Sequence, residues 1–204
     1  RWHLVKKDPT AAISDPVEPL VYWIENTTPL EYRQAIFDAG TRWNEAFEKA
    51  GFSNALIMKI MPDTAKWDPA DIHYNVIRWV ASSQPSYGAI GPSFVNPRTG
   101  QILGTDITVE WFSGSATPIN DELFNGNATA PAEMQIPHMK TKDYCTLATE
   151  LKAQYTAGLT TLELNGASDI EIKEMHKQFL NYLIMHEMGH TLGCLLYTSD
   201  AADE

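Results

Sequence analysis

His186, Glu187 and His190 stand in the stretch NYLIMHEMGHTLG with the spacing H-E-x-x-H. Residues four apart on a helix share a face, with Cβ atoms about 5–6 Å apart. Two imidazoles so placed can hold one zinc ion at zinc–nitrogen distances of about 2.0–2.1 Å. Glu187, rotated by about 100° from His186, then stands beside the ion and not on it. A carboxylate there can take a proton from a water whose pKa zinc lowers to around 7. The hydroxide attacks a peptide carbonyl that the metal polarises, and the glutamate passes its proton to the leaving amine. Two histidines and one glutamate at this spacing are what that reaction needs. The pattern arises by chance in roughly one chain of this length in two hundred.

No other set of residues makes a comparable constellation. His3, His73, His138 and His176 are isolated, and His176 lies ten residues before His186, hence on another helical face. Asp106 and Glu110 alternate along an expected strand and could take calcium, but a solvated strand face suits them better. Cys145 reads as a small buried residue.

The motif needs a helix, and the flanking sequence supplies one. In SDIEIKEMHKQFLNYLIMHEMGHTLG, Ser168 and Glu171 make a capping box, and Ile172, Met175, Phe179 and Leu183 form an apolar stripe. Gly193 suits a left-handed C-terminal cap. A second long helix is expected in TTPLEYRQAIFDAGTRWNEAFEKAG, with Thr28 as N-cap, Pro29 at the first helical position and Glu31 as the reciprocal capping residue. Ile36, Trp43, Phe47 and Ala50 give it a buried stripe, and Gly51 ends it. PLVYWIE, NALIMKIMP and IHYNVIRWV read as strands, while GAIGPSFV and ILGTDITVEW flank the turn NPRTGQ as a hairpin. From Phe112 to Gly166 the pattern weakens, with a short helical stretch near Leu147 to Leu159, and reads as an insertion or lid.

The bulk properties set outer bounds. A chain of 204 residues can form one domain that buries roughly 70% of its unfolded surface. Its 44% hydrophobic and 20% charged residues are ordinary for a globular protein. No apolar run approaches the ~20 residues of a membrane helix. A net charge of -11 without a basic cluster argues against nucleic acid and anionic membranes as partners. The two cysteines, Cys145 and Cys194, define no disulfide framework.

The segment HEMGHTLG resembles the metzincin zinc peptidases, whose motif is H-E-x-x-H-x-x-G-x-x-H followed by a Met-turn. The order of strand, long helix, strands and the stretch GAIGPSFVNPRTGQILGTDITVEW is similar to matrix-metalloproteinase catalytic domains. More closely, RWHLVKKDP, VIRWV, GPSFVNPRTGQILGTDI and HEMGHTLG look like a family of large bacterial zinc metalloproteases, common in Bacteroidetes and often secreted or periplasmic. The resemblance spans nearly all of Arg1 to Gly193. It implies an α+β fold, metzincin-like, with a twisted mixed sheet and two long helices, the second carrying the zinc motif. It further implies that His186 and His190 bind Zn2+, that Glu187 is the general base, and that Ala89, Ile90 and Gly91 line the edge that takes a protein or peptide substrate. An extracellular or periplasmic location follows from the same likeness.

One feature departs from the family pattern. The third histidine belongs at position 196, which is Leu196. Cys194 to Glu204 reads as the translation of a transposon-end adapter used for sequencing libraries, so residues 1–193 are expected to be the N-terminal part of a catalytic domain and 194–204 a non-native tail. Two readings compete with a metzincin. One is a zinc peptidase with a distant glutamate ligand, in which the glycine after HTL has no role. The other is a non-catalytic metal-binding or interaction module with an incomplete site.

Overall fold

The computed structural model describes residues 1–82, 89–112 and 147–194. His138, Cys145, the larger part of the expected insertion and the tail from Leu195 onward lie outside the described residues. The chain runs β1 (Leu20–Ile24), α1 (Leu30–Lys49), β2 (Leu56–Ile60), β3 (Asn75–Ser82), β4 (Ala89–Ile90), β5 (Ser93–Val95), β6 (Ile102–Phe112), α2 (Leu147–Leu164) and α3 (Asp169–Leu192). The sheet has the order β2-β1-β3-β6-β4, with β5 also paired to β6. Strands β2, β1, β3 and β6 are parallel, and β4 and β5 return antiparallel to β6. The fold is α+β with a mixed sheet, as expected, and the stretch expected to be briefly helical near Leu147 to Leu159 is a third long helix beside the two expected ones.

Period-two burial decides which face of the sheet meets the helices. Leu20, Tyr22 and Ile24 of β1 are buried, and with Ile77, Ile107 and Val109 they form the sheet's half of the core. The other half comes from Ile36 and Ala39 of α1 and from Leu180, Leu183, Ile184 and Met188 of α3. Among the described residues no helix is long and apolar enough to cross a membrane.

Three local expectations need correction. Pro29 is itself the N-cap of α1, which begins at Leu30 and has no side-chain cap. Thr28 is buried instead, and the approach to the helix is held from Arg33, which donates from Nε to Thr28 O at 2.8 Å and from Nη2 to Asn26 O at 2.7 Å. Second, Ala50 is exposed because it caps the C-terminal end, while Ala39 and Gly40 join Ile36 in the buried face. Third, the helical stretch near Leu147 to Leu159 continues to Leu164. Its threonines do not break it, because Thr160 and Thr161 donate back to the carbonyls of Thr156 and Ala157. Tyr155 of α2 packs on the Phe179 ring of α3 at 4.5 Å. That contact explains why Phe179 lies on a separate, half-buried stripe from the sheet-facing residues of α3.

Candidate metal centre

Both ends of α3 are fixed as the sequence predicts. Ser168 Oγ accepts from Glu171 N–H while the Glu171 carboxylate accepts from Ser168 N–H, and Gly193 caps the far end at φ 100°. Gly193 N–H donates to His190 O and Cys194 N–H to Gly189 O, both at 3.0 Å. The helix is therefore intact through the turn that carries His190. From α1, Trp43 Nε1 donates to Met185 O at 3.2 Å and Asn181 Nδ2 reaches Ala35 O at 3.3 Å. A side chain at Gly189 would stand 3.2 Å from the Trp43 ring. A glycine lets that ring close over the turn between the two histidines without having to shift by a few tenths of an ångström.

The imidazoles of His186 and His190 converge. Their Nε2 atoms lie 2.9 Å apart and their ring planes cross at 89°. Two such nitrogens share one proton. Burial first, and the His190 ring second, push His186 down to about 4, so at neutral pH its lone pair is available. Two ligands of a tetrahedral zinc at about 2.0–2.1 Å lie roughly 3.3 Å apart, so a separation of 2.9 Å needs only a few tenths of an ångström of opening. The pair fits as two ligands of one cation.

Glu187 is 3% exposed and sits against the edge of the sheet. Its carboxylate accepts from the Gly91 amide, and burial pushes it up to about 7 against the pull of that hydrogen bond. A cation beside it would act in the opposite direction. The approach of chain to helix is close here. A Cβ at Gly91 would lie 2.8 Å from Glu187 O, 3.1 Å from Thr191 Cγ2 and 3.3 Å from Glu187 Oε2. β4, immediately before Gly91, is the edge strand, paired through Ala89↔Val109 and Ile90↔Thr108. Of the expected edge residues, Gly91 touches Glu187, Ile90 is exposed, and the Ala89 methyl is buried in the core. Ala89 can therefore meet a ligand only through its backbone.

The remaining candidates stay apart from this centre. His3 is exposed, and so is His73, whose Nδ1 lies 2.6 Å from Asp71 Oδ1. His176 is half-buried beside the Tyr155 ring. Asp106 Oδ2 lies 3.7 Å from Arg78 Nη1, a cation that competes with any calcium there, and burial raises its carboxyl. Among the described residues no group of three His, Cys, Asp or Glu side chains could hold a metal. Position 196 lies outside them. Sequence reasoning placed Trp43 only in the buried stripe of α1 and gave Tyr22 and Thr191 no role, yet all three brace α3. Thr191 left a signal, as a polar residue four places after Glu187 on the buried side of the helix. Compared with protein-family models, curated proteins and solved structures, the chain matches none, and the centre is read from its own geometry.

Proposed function

We propose that this chain belongs to a zinc-dependent metalloendopeptidase of the metzincin type, acting on proteins or peptides outside the cytoplasm. The observation that carries the reading is the pair of Nε2 atoms 2.9 Å apart, with a buried carboxylate on the next helical position held against an edge strand. His186 and His190 would hold the ion. Bound zinc would supply a Lewis acid for the peptide carbonyl and a water acidic near neutral pH. Glu187, desolvated and oriented by the Gly91 amide, would be the group placed to accept a proton from such a water and to return it to the amide nitrogen of the departing product. The edge at β4, with Ile90 exposed, suits an extended peptide pairing alongside it.

Catalytic zinc sites use three protein ligands and a water. With leucine at position 196 this chain is expected to bind zinc weakly and to cleave slowly or not at all. Leu196→His should tighten zinc binding. The test is zinc titration and cleavage of an unstructured protein, with His186→Ala and Glu187→Ala made in both the parent and the Leu196→His chain. His186→Ala should lose zinc, whereas Glu187→Ala should keep zinc and lose cleavage. Zinc binding indifferent to His186→Ala would refute the reading. The two-ligand set among the described residues favours one alternative, a non-catalytic metal-binding module. Zinc bound through both histidines with no cleavage by a chain that continues past Gly193 with the third histidine would establish that alternative.

A further inference from the structure

A polar string crosses the apolar layer beneath α3. Tyr22, at the centre of β1, has no exposed surface, and its hydroxyl lies 2.9 Å from Thr191 Oγ1. Thr191 is equally buried and follows His190 directly. The Thr191 hydroxyl gives its one proton to Met188 O at 2.8 Å, so Tyr22 must be the donor in the bond between the two hydroxyls. On its other side the Tyr22 hydroxyl faces Thr105 of β6, which offsets part of the rise that burial gives the phenol. Thr105 is anchored in turn by Asn75, whose Oδ1 accepts Thr105 N–H at 3.0 Å and whose Nδ2 donates to Val21 O at 2.9 Å. Trp2 Nε1 donates to Thr191 O at 2.9 Å, filling one of the carbonyls that a helix end leaves open.

A phenylalanine would occupy the place of Tyr22 without a hydroxyl to satisfy, so the hydroxyl serves something other than burial. Apolar contacts let a helix turn and slide, whereas a directed bond between two buried hydroxyls admits one setting. Rotation of the last turn of α3 by about 20° against the turn that carries His186 would carry the His190 side-chain head by roughly 2 Å. Ligand distances tolerate only about 0.2 Å. The last turn, where His190 sits, is also the turn most prone to fray.

We infer that the Tyr22–Thr191 hydrogen bond is a positioning device for metal binding, setting the rotation and height of the last turn of α3 so that His190 meets His186 and Glu187 meets Gly91. Tyr22 is thus a positioning residue that touches neither metal nor substrate. The inference rests on reading His186 and His190 as zinc ligands.

The experiment is calorimetric zinc titration of the whole chain and of Tyr22→Phe, Thr191→Val, the double variant and Thr191→Ser, each verified as folded by circular dichroism. Leu56→Ala, a core change in the strand at the opposite end of the sheet from β4, controls for lost stability. Tyr22→Phe and Thr191→Val should each weaken zinc binding by about tenfold, the low end for lost support around metal ligands. The double variant should be no worse than either single one, because all three lack the same bond. Thr191→Ser, which keeps the hydroxyl, should bind like the parent, and so should Leu56→Ala. Parent-like affinity in Tyr22→Phe, or an equal loss in Leu56→Ala, overturns the inference while leaving the zinc reading intact. A parent chain that takes no zinc overturns both.

Discussion

Replacing Gly91 by alanine tests the seam on which the candidate centre depends. The new Cβ would lie 2.8 Å from Glu187 O, closer than such atoms come in real structures, and the nearest obstacle is backbone, which cannot swing aside. Restoring ordinary contact requires β4 and α3 to part by about 0.6 Å, a strain of the kind that costs about 1–3 kcal/mol in a packed core. β4 is tied to β6 through Ala89 and Ile90, so the separation falls on the amide that holds the Glu187 carboxylate. At a urea slope of about 2 kcal/mol/M, the unfolding midpoint should drop by about 0.5–1.5 M. Cleavage by the Leu196→His chain should fall with it, because a base displaced by more than about 0.5 Å is out of place. Gly100 is the contrast. It sits in the β5–β6 turn at φ 70° with nothing within 4 Å of a would-be Cβ, so conformation and not space restricts it. Gly100→Asn should be nearly neutral, since asparagine tolerates that region, whereas Gly91→Asn should be worse than Gly91→Ala. An unchanged midpoint in Gly91→Ala refutes the argument.

Two further substitutions probe how α1 sets the frame. Asn44 joins α1 to the start of β2 by two bonds, donating to Leu56 O and accepting from Leu56 N–H, both at 2.9 Å. Asn44→Ala should lower stability by about 1–3 kcal/mol in urea unfolding, and Asn44→Asp should be worse because a carboxylate then faces Leu56 O. Trp43→Phe gives up the 3.2 Å bond to Met185 O and should cost about 1 kcal/mol. Gly189→Ala should be milder in the Trp43→Phe background than in the parent, because the ring atoms 3.2 and 3.4 Å from the added methyl are those the smaller ring lacks; additive effects in that double-mutant cycle would contradict the packing described.

What the sequence disclosed of the fold follows from the range of the interactions involved. The Ser168–Glu171 box and the Gly193 cap are local, and both are present. The NPRTGQ turn likewise joins β5 to β6. Where a long-range partner decides, reading failed. The start of α1 depends on Arg33 reaching back to Asn26 and Thr28, and it moved by one residue. The length of α2 depends on its docking against α3, where Met175 occupies the space beside Gly158. Threonines and a glycine made its sequence look weaker as a helix than it is in that setting.

At the candidate centre the same division holds, and it gives Glu187 its interest. Four-residue spacing puts His186 and His190 on one helical face, which any helix would do, and their rings converge there. What stands behind them is invisible to spacing: Gly91 reaches Glu187 from the sheet edge after β4, and Tyr22 reaches Thr191 across a separation of 169 residues. Yet the sequence does record a conflict. The buried residues of α3 are Leu180, Leu183, Ile184, Glu187, Met188, Gly189 and Thr191, and two of the seven carry polar side chains. Burial costs a carboxylate more than a hydroxyl, and apolar packing would gain from leucine at either place. A fold that keeps both, one against a backbone amide at the sheet edge and the other in a directed bond to the central strand, holds its motif helix to one rotation at the expense of stability. Local rules broken without a structural gain concentrate where chemistry is done. Here they fall on the residue between the two histidines and on the residue that follows them.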